Sequence, residues 1–155
     1  MDFNTLNHWQ QLAVCAAMSE RSYPNYALYC ELTQTGEPQL VRKMLNKVWE
    51  YLRGQLKSLK NIEKQLEQLE PLIPEAEATE NYGAFLAMDM TVALQSCLQS
   101  ILDNSILDAD AITTMTRDRL REVLEMQEQE VVTHELWQRH CEFEQTLFDL
   151  LGFNI

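Results

Sequence analysis

The chain is poor in the residues from which most catalytic and cofactor-binding loops are built. In 155 residues there are four glycines, four prolines, four cysteines and three histidines. Gly36, Gly54, Gly83 and Gly152 stand alone. None belongs to a cluster that would let backbone wrap a phosphate, so P-loop and dinucleotide-binding chemistry are not expected. There is no Gly-x-Ser-x-Gly elbow, and the histidines sit in no nucleophile motif. That weakens hydrolase chemistry without excluding it, because triads assemble from distant residues. Cys15, Cys30, Cys97 and Cys141 form no Cys-x-x-Cys pair; they read as small buried hydrophobes in a reducing compartment.

Metal ligands are equally sparse. His134-Glu135 begins like a zincin motif, but the next histidine is His140. Six residues of helix turn it about 120° away, so the two rings do not chelate together. A di-iron bundle needs Glu-x-x-His pairs, and the residues three before His8, His134 and His140 are Thr5, Val131 and Trp137. The expectation is no metal site and no cofactor.

Lysine is missing outside Lys43 to Lys64, and the net charge is -12. Through Lys64 there are eight bases against six acids; from Gln65 onward there are four against eighteen. Such a chain repels a phosphate backbone, so nucleic-acid binding is not expected. The asymmetry reads either as solubility with pairing between a basic helix and acidic later ones, or as an acidic face that docks a basic partner. The start, Met1-Asp2-Phe3-Asn4, lacks a positive leader before an apolar run, which points to the cytoplasm. The longest apolar stretch, Tyr82 to Leu102, carries Asp89, Gln95, Ser96 and Gln99 and no flanking Lys or Arg. It suits a core helix better than a membrane span.

What the chain does have is apolar residues recurring at three and four nearly throughout, without runs of β-branched alternation. This predicts an all-α fold, a single domain over 1–155, with about seven helices around a central apolar helix at about 82–102. A chain of this length buries roughly 70% of its unfolded surface, enough for a core without staples. The first helix is predicted from Thr5, as N-cap, to Glu20. A short second helix follows Pro24 and ends at Gly36 in a left-handed cap. Pro38 starts a third, closed by Gly54, and a fourth runs from about Ser58 to Glu70 with Ile62, Leu66 and Leu69 inward. After the acidic loop Glu75 to Glu80 comes the central helix. A sixth, capped by Asp108 or Asp110, extends to about Glu130. The seventh, from about Thr133 to Leu151, turns Leu136, Trp137, His140, Phe143, Leu147 and Leu150 to the core, with Gly152 and Phe153 as its terminal cap.

The densest run of uncommon residue types is Glu20-Arg21-Ser22-Tyr23-Pro24-Asn25-Tyr26, followed by Cys30 and Gly36-Glu37-Pro38. With Trp9-Gln10, Arg42, Trp49-Glu50, Ile73-Pro74, Tyr82-Gly83, Ala87-Met88-Asp89 and Ala93-Leu94, it resembles the YjaG family of bacterial proteins, domain-of-unknown-function family 416. The resemblance covers roughly the first two thirds of the chain. It implies an all-helical cytosolic protein, with members longer than this chain and no catalytic residues to carry over.

Asp89 interrupts an otherwise apolar helix, and a buried charge without a partner costs several kcal/mol. Arg21 is its expected partner, with Tyr23, Tyr26 and Tyr82 as further donors. Arg21, Tyr23, Tyr26 and Asp89 are thus the candidate ligand-binding residues. The alternative is an internal clasp holding the first two helices to the central one. Tyr23, Tyr26 and Tyr29, with Trp9 and Trp49, form either core or an aromatic cage. The expected function is a noncatalytic protein–protein interaction or adaptor protein, with a homodimer through Trp137, Phe143, Phe148, Leu151 and Phe153. The rival is a small-molecule binding protein or enzyme centred on the polar cluster.

Overall fold

The computed structural model describes residues 2–76, 82–104, 107–126, 130–131 and 134–152, excepting the side chains of Tyr82 and Gly152. Among the described residues there are six α-helices, two 3₁₀ turns and no strand. Helix α1 (His8–Thr33) begins at Asn7, not Thr5. The Asn7 side chain accepts from the Gln10 N–H, and the Gln10 side chain accepts from the Asn7 N–H, both at 2.9 Å. This reciprocal cap satisfies two otherwise orphaned donors. Thr5 lies instead in the 3₁₀ turn Phe3–Thr5.

The expected break at Pro24 does not occur, and α1 runs through it for 26 residues. That is why there are six helices and not seven. A proline inside a helix costs about 3 kcal/mol through its missing N–H and its clash with the preceding turn. Burial on both sides outweighs this: Leu12, Val14, Cys15 and Met18 lie before Pro24 and Tyr26 and Cys30 after it, all in the core. Helix α1 ends at Gln34, whose left-handed backbone (φ 56°) makes the cap that Gly36 was expected to make. Gly36 has φ +76°, and a Cβ there would stand 2.5 Å from Cys30 Sγ and 2.9 Å from Tyr26 Oη. Glycine is required by both backbone and space.

Helix α2 (Pro38–Leu52) starts at its proline and buries Val41, Met44, Leu45 and Val48. Gly54 follows its end at φ +71°. Helix α3 (Lys60–Leu69) buries Ile62 and Leu69, with Leu66 half-buried, and passes into the turn Glu70–Leu72. Most of the acidic loop lies outside the described residues.

Helix α4 (Tyr82–Leu102) has the predicted bounds. Its segment Gly83–Leu102 is long and apolar enough to cross a membrane, at a mean hydropathy of 1.3. Here it is the centre of the fold, packed against α1, α2, α3 and α5. Helix α5 (Ala109–Met126) is capped by Asp108, which accepts from the Ala111 N–H at 3.0 Å. The chain start docks on that cap: the Phe3 N–H donates to Asp110 Oδ1 at 2.7 Å, and Asn4 Nδ2 to Asp108 Oδ1 at 2.9 Å. The expected extension toward Glu130 enters residues outside those described.

Helix α6 (Glu135–Gly152) is rotated relative to expectation. Its buried row is His140, Glu144 and Leu151, with Phe143, Leu147 and Phe148 half-buried. Leu136 is 49% exposed and Leu150 63%, so neither faces the core. Leu150 lies about 100° around the helix from Leu151, and only one of the two points inward. Phe148 meets the buried Phe3 edge-on at 5.6 Å, and Gln10 Nε2 donates to the Leu151 carbonyl at 2.6 Å. Phe153 lies outside the described residues.

Candidate functional site

The run Glu20 to Tyr26 forms two turns of α1, and helical geometry divides it between two faces. Glu20, Tyr23 and Tyr26 face the corner between α1 and α2. Glu20 takes the Arg42 guanidinium as a two-pronged pair, at 2.5 and 2.7 Å, and accepts from Trp49 Nε1 at 3.1 Å. Arg42 holds the Glu20 carboxyl below its ordinary range. The same guanidinium stacks over the Tyr23 ring at 5.1 Å. The Tyr23 hydroxyl donates to the Pro38 carbonyl at 2.8 Å, while the Tyr26 hydroxyl accepts from the Glu37 N–H at 3.3 Å. Burial is the leading cause that pushes the Tyr26 phenol well above its ordinary range.

Arg21, Ser22 and Asn25 face the other way, into a cleft of about 380 Å³. Met18 and these residues of α1 form one wall; Leu86, Asp89, Met90 and Ala93 of α4 form the floor. Thr116, Arg119, Leu120 and Val123 of α5 stand opposite, and Leu136 and His140 of α6 complete it. Leu136, turned away from the core, is accounted for by this position at the rim.

Two charged groups mark the cleft. Asp89, 9% exposed, pairs with Arg119: Nε donates to Oδ2 at 2.7 Å and a terminal nitrogen to Oδ1 at 3.3 Å. Arg119 also reaches Glu122 at 3.0 Å and stacks over Phe85 at 4.7 Å. Burial nevertheless raises the Asp89 carboxyl, with Arg119 opposing it. The second group lies on α6. Arg21 donates to His140 Nδ1 at 2.9 Å and stacks over Phe143 at 4.5 Å. His140 Nε2 is 2.5 Å and Arg117 Nε 3.1 Å from Glu144 Oε1. These three buried atoms are within ion-pair reach but off the hydrogen-bonding angle.

The four residues singled out from sequence therefore separate. Arg21 and Asp89 line one cleft; Tyr23 and Tyr26 lie at the α1–α2 corner. Asp89 is buried and paired as expected, but its partner is Arg119, not Arg21, because α5 rather than α1 brings a guanidinium alongside it. Trp9 and Trp49 donate to the Leu52 carbonyl and to Glu20, so the aromatic residues near the corner are held by separate partners. Among the described residues no three His, Cys, Asp or Glu side chains gather as a metal site.

Sequence reasoning missed Arg119 and Glu144, although a signal existed. Arg119 occupies the inward row Ile112, Thr116, Arg119, Val123, and Glu144 the row His140, Glu144, Leu147, Leu151. A charge at a core position of an amphipathic helix needs a buried partner, as it did at Asp89.

A family model described as a protein of unknown function (DUF416) matches residues 2–152. Uncharacterized protein YjaG of Salmonella typhimurium is 32% identical, over 95% of this chain and 78% of that protein. YjaG of Escherichia coli K12 is 36% identical over 78% of this chain, and the match spans 61% of that protein's length. A crystal structure of a DUF416 family protein from Shewanella baltica OS155 superposes with a TM-score of 0.83 at 26% identity, covering 95% of this chain and 80% of that one. The extent of the family match and the curated relatives place this chain in the DUF416 family, alongside the YjaG proteins.

Proposed function

We propose that the protein binds a small, largely apolar molecule, and that the cleft between α1, α4, α5 and α6 is its site. The cleft itself carries the reading: a volume of about 380 Å³ whose surface is mostly apolar, with charged and polar side chains, Asp89 in the floor among them, set into it. Ligand sites have this composition and begin at about 300 Å³. Met18 and Met90 give the walls two side chains that adapt their shape to a guest. The four cysteines are free, three of them buried, which supports a reducing cytoplasm as its place of action.

The test is titration with an uncharged apolar probe, 1-octanol, by calorimetry and thermal melting. The parent should bind one equivalent and melt at higher temperature with it. Val123→Trp, which places bulk into the cleft from a half-buried wall position, should lose the binding while remaining folded. A parent that binds neither octanol nor a charged eight-carbon analogue of it would refute the reading.

A second reading, a noncatalytic interaction protein acting as homodimer or adaptor, is favoured by Leu28 and Leu32. They stand one helical turn apart on α1 and are 54% and 74% exposed. Phe143, Phe148 and Leu151 are engaged within the fold, which leaves Leu136 and Leu150 as late-helix apolar surface. Sedimentation of the parent and of Leu32→Glu at micromolar concentration tests this: a dimer that the substitution splits supports it, and a monomeric parent rejects the homodimer.

A further inference from the structure

We propose that the guest of the cleft is a carboxylate with an apolar body, and that Arg21 is the residue that takes its charged end. The proposal rests on the cleft being a binding site and adds the chemical class.

Arg21 differs from the other arginines at or beside the cleft. Arg119 has Asp89 and Glu122, and Arg117 has Glu144. Among the described residues, no carboxylate lies within ion-pair distance of Arg21. Its polar contact is one N–H directed at a neutral acceptor, His140 Nδ1, at 2.9 Å. A guanidinium has five N–H donors in a planar fork, so most of the fork is left for other acceptors.

The contact itself says which ring nitrogen accepts. A guanidinium only donates, so Nδ1 of His140 must accept, and the ring of a neutral imidazole then carries its proton on Nε2. That nitrogen faces Glu144 Oε1 at 2.5 Å. Glu144 is thus drawn to His140 and Arg117, 2% exposed and behind the imidazole as seen from Arg21. It lends Arg21 a distant negative charge but no oxygen to bond. Burial is accordingly the largest influence on the Arg21 guanidinium, acting to lower its pKa, with Glu144 partly offsetting it. The side chain is exposed while it lines the cleft, so the unused part of its fork is accessible to a guest. The Phe143 ring at 4.5 Å holds the guanidinium plane from one side and leaves its edge open.

A carboxylate supplies the missing partner, since two parallel N–H···O bonds match the fork. The apolar body then lies over Met18, Leu86, Met90, Leu120 and Val123. A cationic guest is disfavoured, because both Asp89 oxygens are engaged by Arg119.

The experiment compares octanoate, 1-octanol and octylamine at one ionic strength on the parent and on Arg21→Met. On the parent, octanoate should bind about tenfold tighter than octanol or better, and octylamine most weakly. Arg21→Met should erase the octanoate preference and leave octanol affinity unchanged, with a cooperative melt confirming the fold. Octanol binding as tightly as octanoate on the parent overturns the proposal while the cleft reading survives. So does a preference that persists in Arg21→Met. Should that variant not fold, the parent's ranking of the three probes decides alone. If none of the three binds, the cleft reading falls and this one with it.

Discussion

At the α1–α2 corner, Glu20, Tyr23 and Tyr26 each meet a partner within hydrogen-bonding geometry, and Gly36 closes against them with no room for a methyl group. On the opposite face of the same helix, Arg21 points into open volume, and the charged atoms behind it meet at close range but off-axis. Polar groups that are fully satisfied and tightly packed rigidify a fold; groups left with spare capacity beside a cavity are poised for something outside the chain. Neighbours in sequence can thus serve unrelated ends. The corner is a clasp, and the cleft is where recognition is proposed to occur.

The strongest way to break the clasp is Gly36→Ala. It combines a positive φ with contacts at 2.5 and 2.9 Å, and the loss should be about 3 kcal/mol from backbone strain and overpacking together. Gly54→Ala is the matched control: φ is +71° with nothing within 4 Å of the added carbon, so about 1 kcal/mol is expected from the backbone alone. Urea denaturation of the two variants separates strain from crowding, and equal losses would show that the corner is looser than described.

On the cleft side, Asp89→Ala should cost about 1.5 to 3 kcal/mol, the range for a hydrogen bond to a charged group. The full cost of orphaning a buried arginine is not expected, because Arg119 keeps Glu122 and the Phe85 ring. Denaturant melts measure this directly.

The two faces should also respond to acid with opposite sign. Arg42 lowers the Glu20 carboxyl below 4.5, so its stabilisation is present above that value and is lost as pH falls through the lowered one. Burial raises the Asp89 carboxyl above 3.8; its favourable share is complete below 3.8 and is lost as pH rises through the raised value. Glu20→Gln should cost about 1 to 2 kcal/mol near neutrality, discounted for a half-open site. Its deficit relative to the parent should shrink on acidification, while that of Asp89→Asn should grow. Melting temperatures from about pH 6 to about pH 3 give both slopes, and slopes of the same sign would undo the contrast.

The smallest effects belong to the hydroxyls. Tyr23→Phe and Tyr26→Phe should each lose about 1 kcal/mol, and neither should alter binding of octanoate in the cleft. A tyrosine variant that melts like the parent but loses the ligand would return these residues to the site.

Much of this was readable from the chain alone, and what was not has a common cause. Helix α4 was placed to the residue because it is apolar nearly all round, and Pro38 and Gly54 mark the limits of α2 by local backbone rules. The burial of Asp89 followed from the same pattern. The continuity of α1 did not, since a local rule at Pro24 is overruled by burial against a helix some sixty residues away in sequence. The partner of Asp89 depends on which helix lies alongside it, which periodicity does not encode. Glu144 and Arg119 were passed over because a charged residue in a helix is ordinarily solvated.

The docking of the chain start has a consequence for how the protein is made. Phe3 is tied to Asp110 across 107 residues, and Gln10 to the Leu151 carbonyl across 141. At about 5 to 20 residues per second, the first turn of α1 emerges from the ribosome roughly 7 to 30 seconds before its last partner exists. Through that interval the Phe3 ring has no Phe148 to meet, and the apolar side of α1 has no α4 until the middle of the chain is out. Residues near the start of α1 are thus secured by partners made much later, and the helix keeps an uncovered face until α4 and then α6 have followed it.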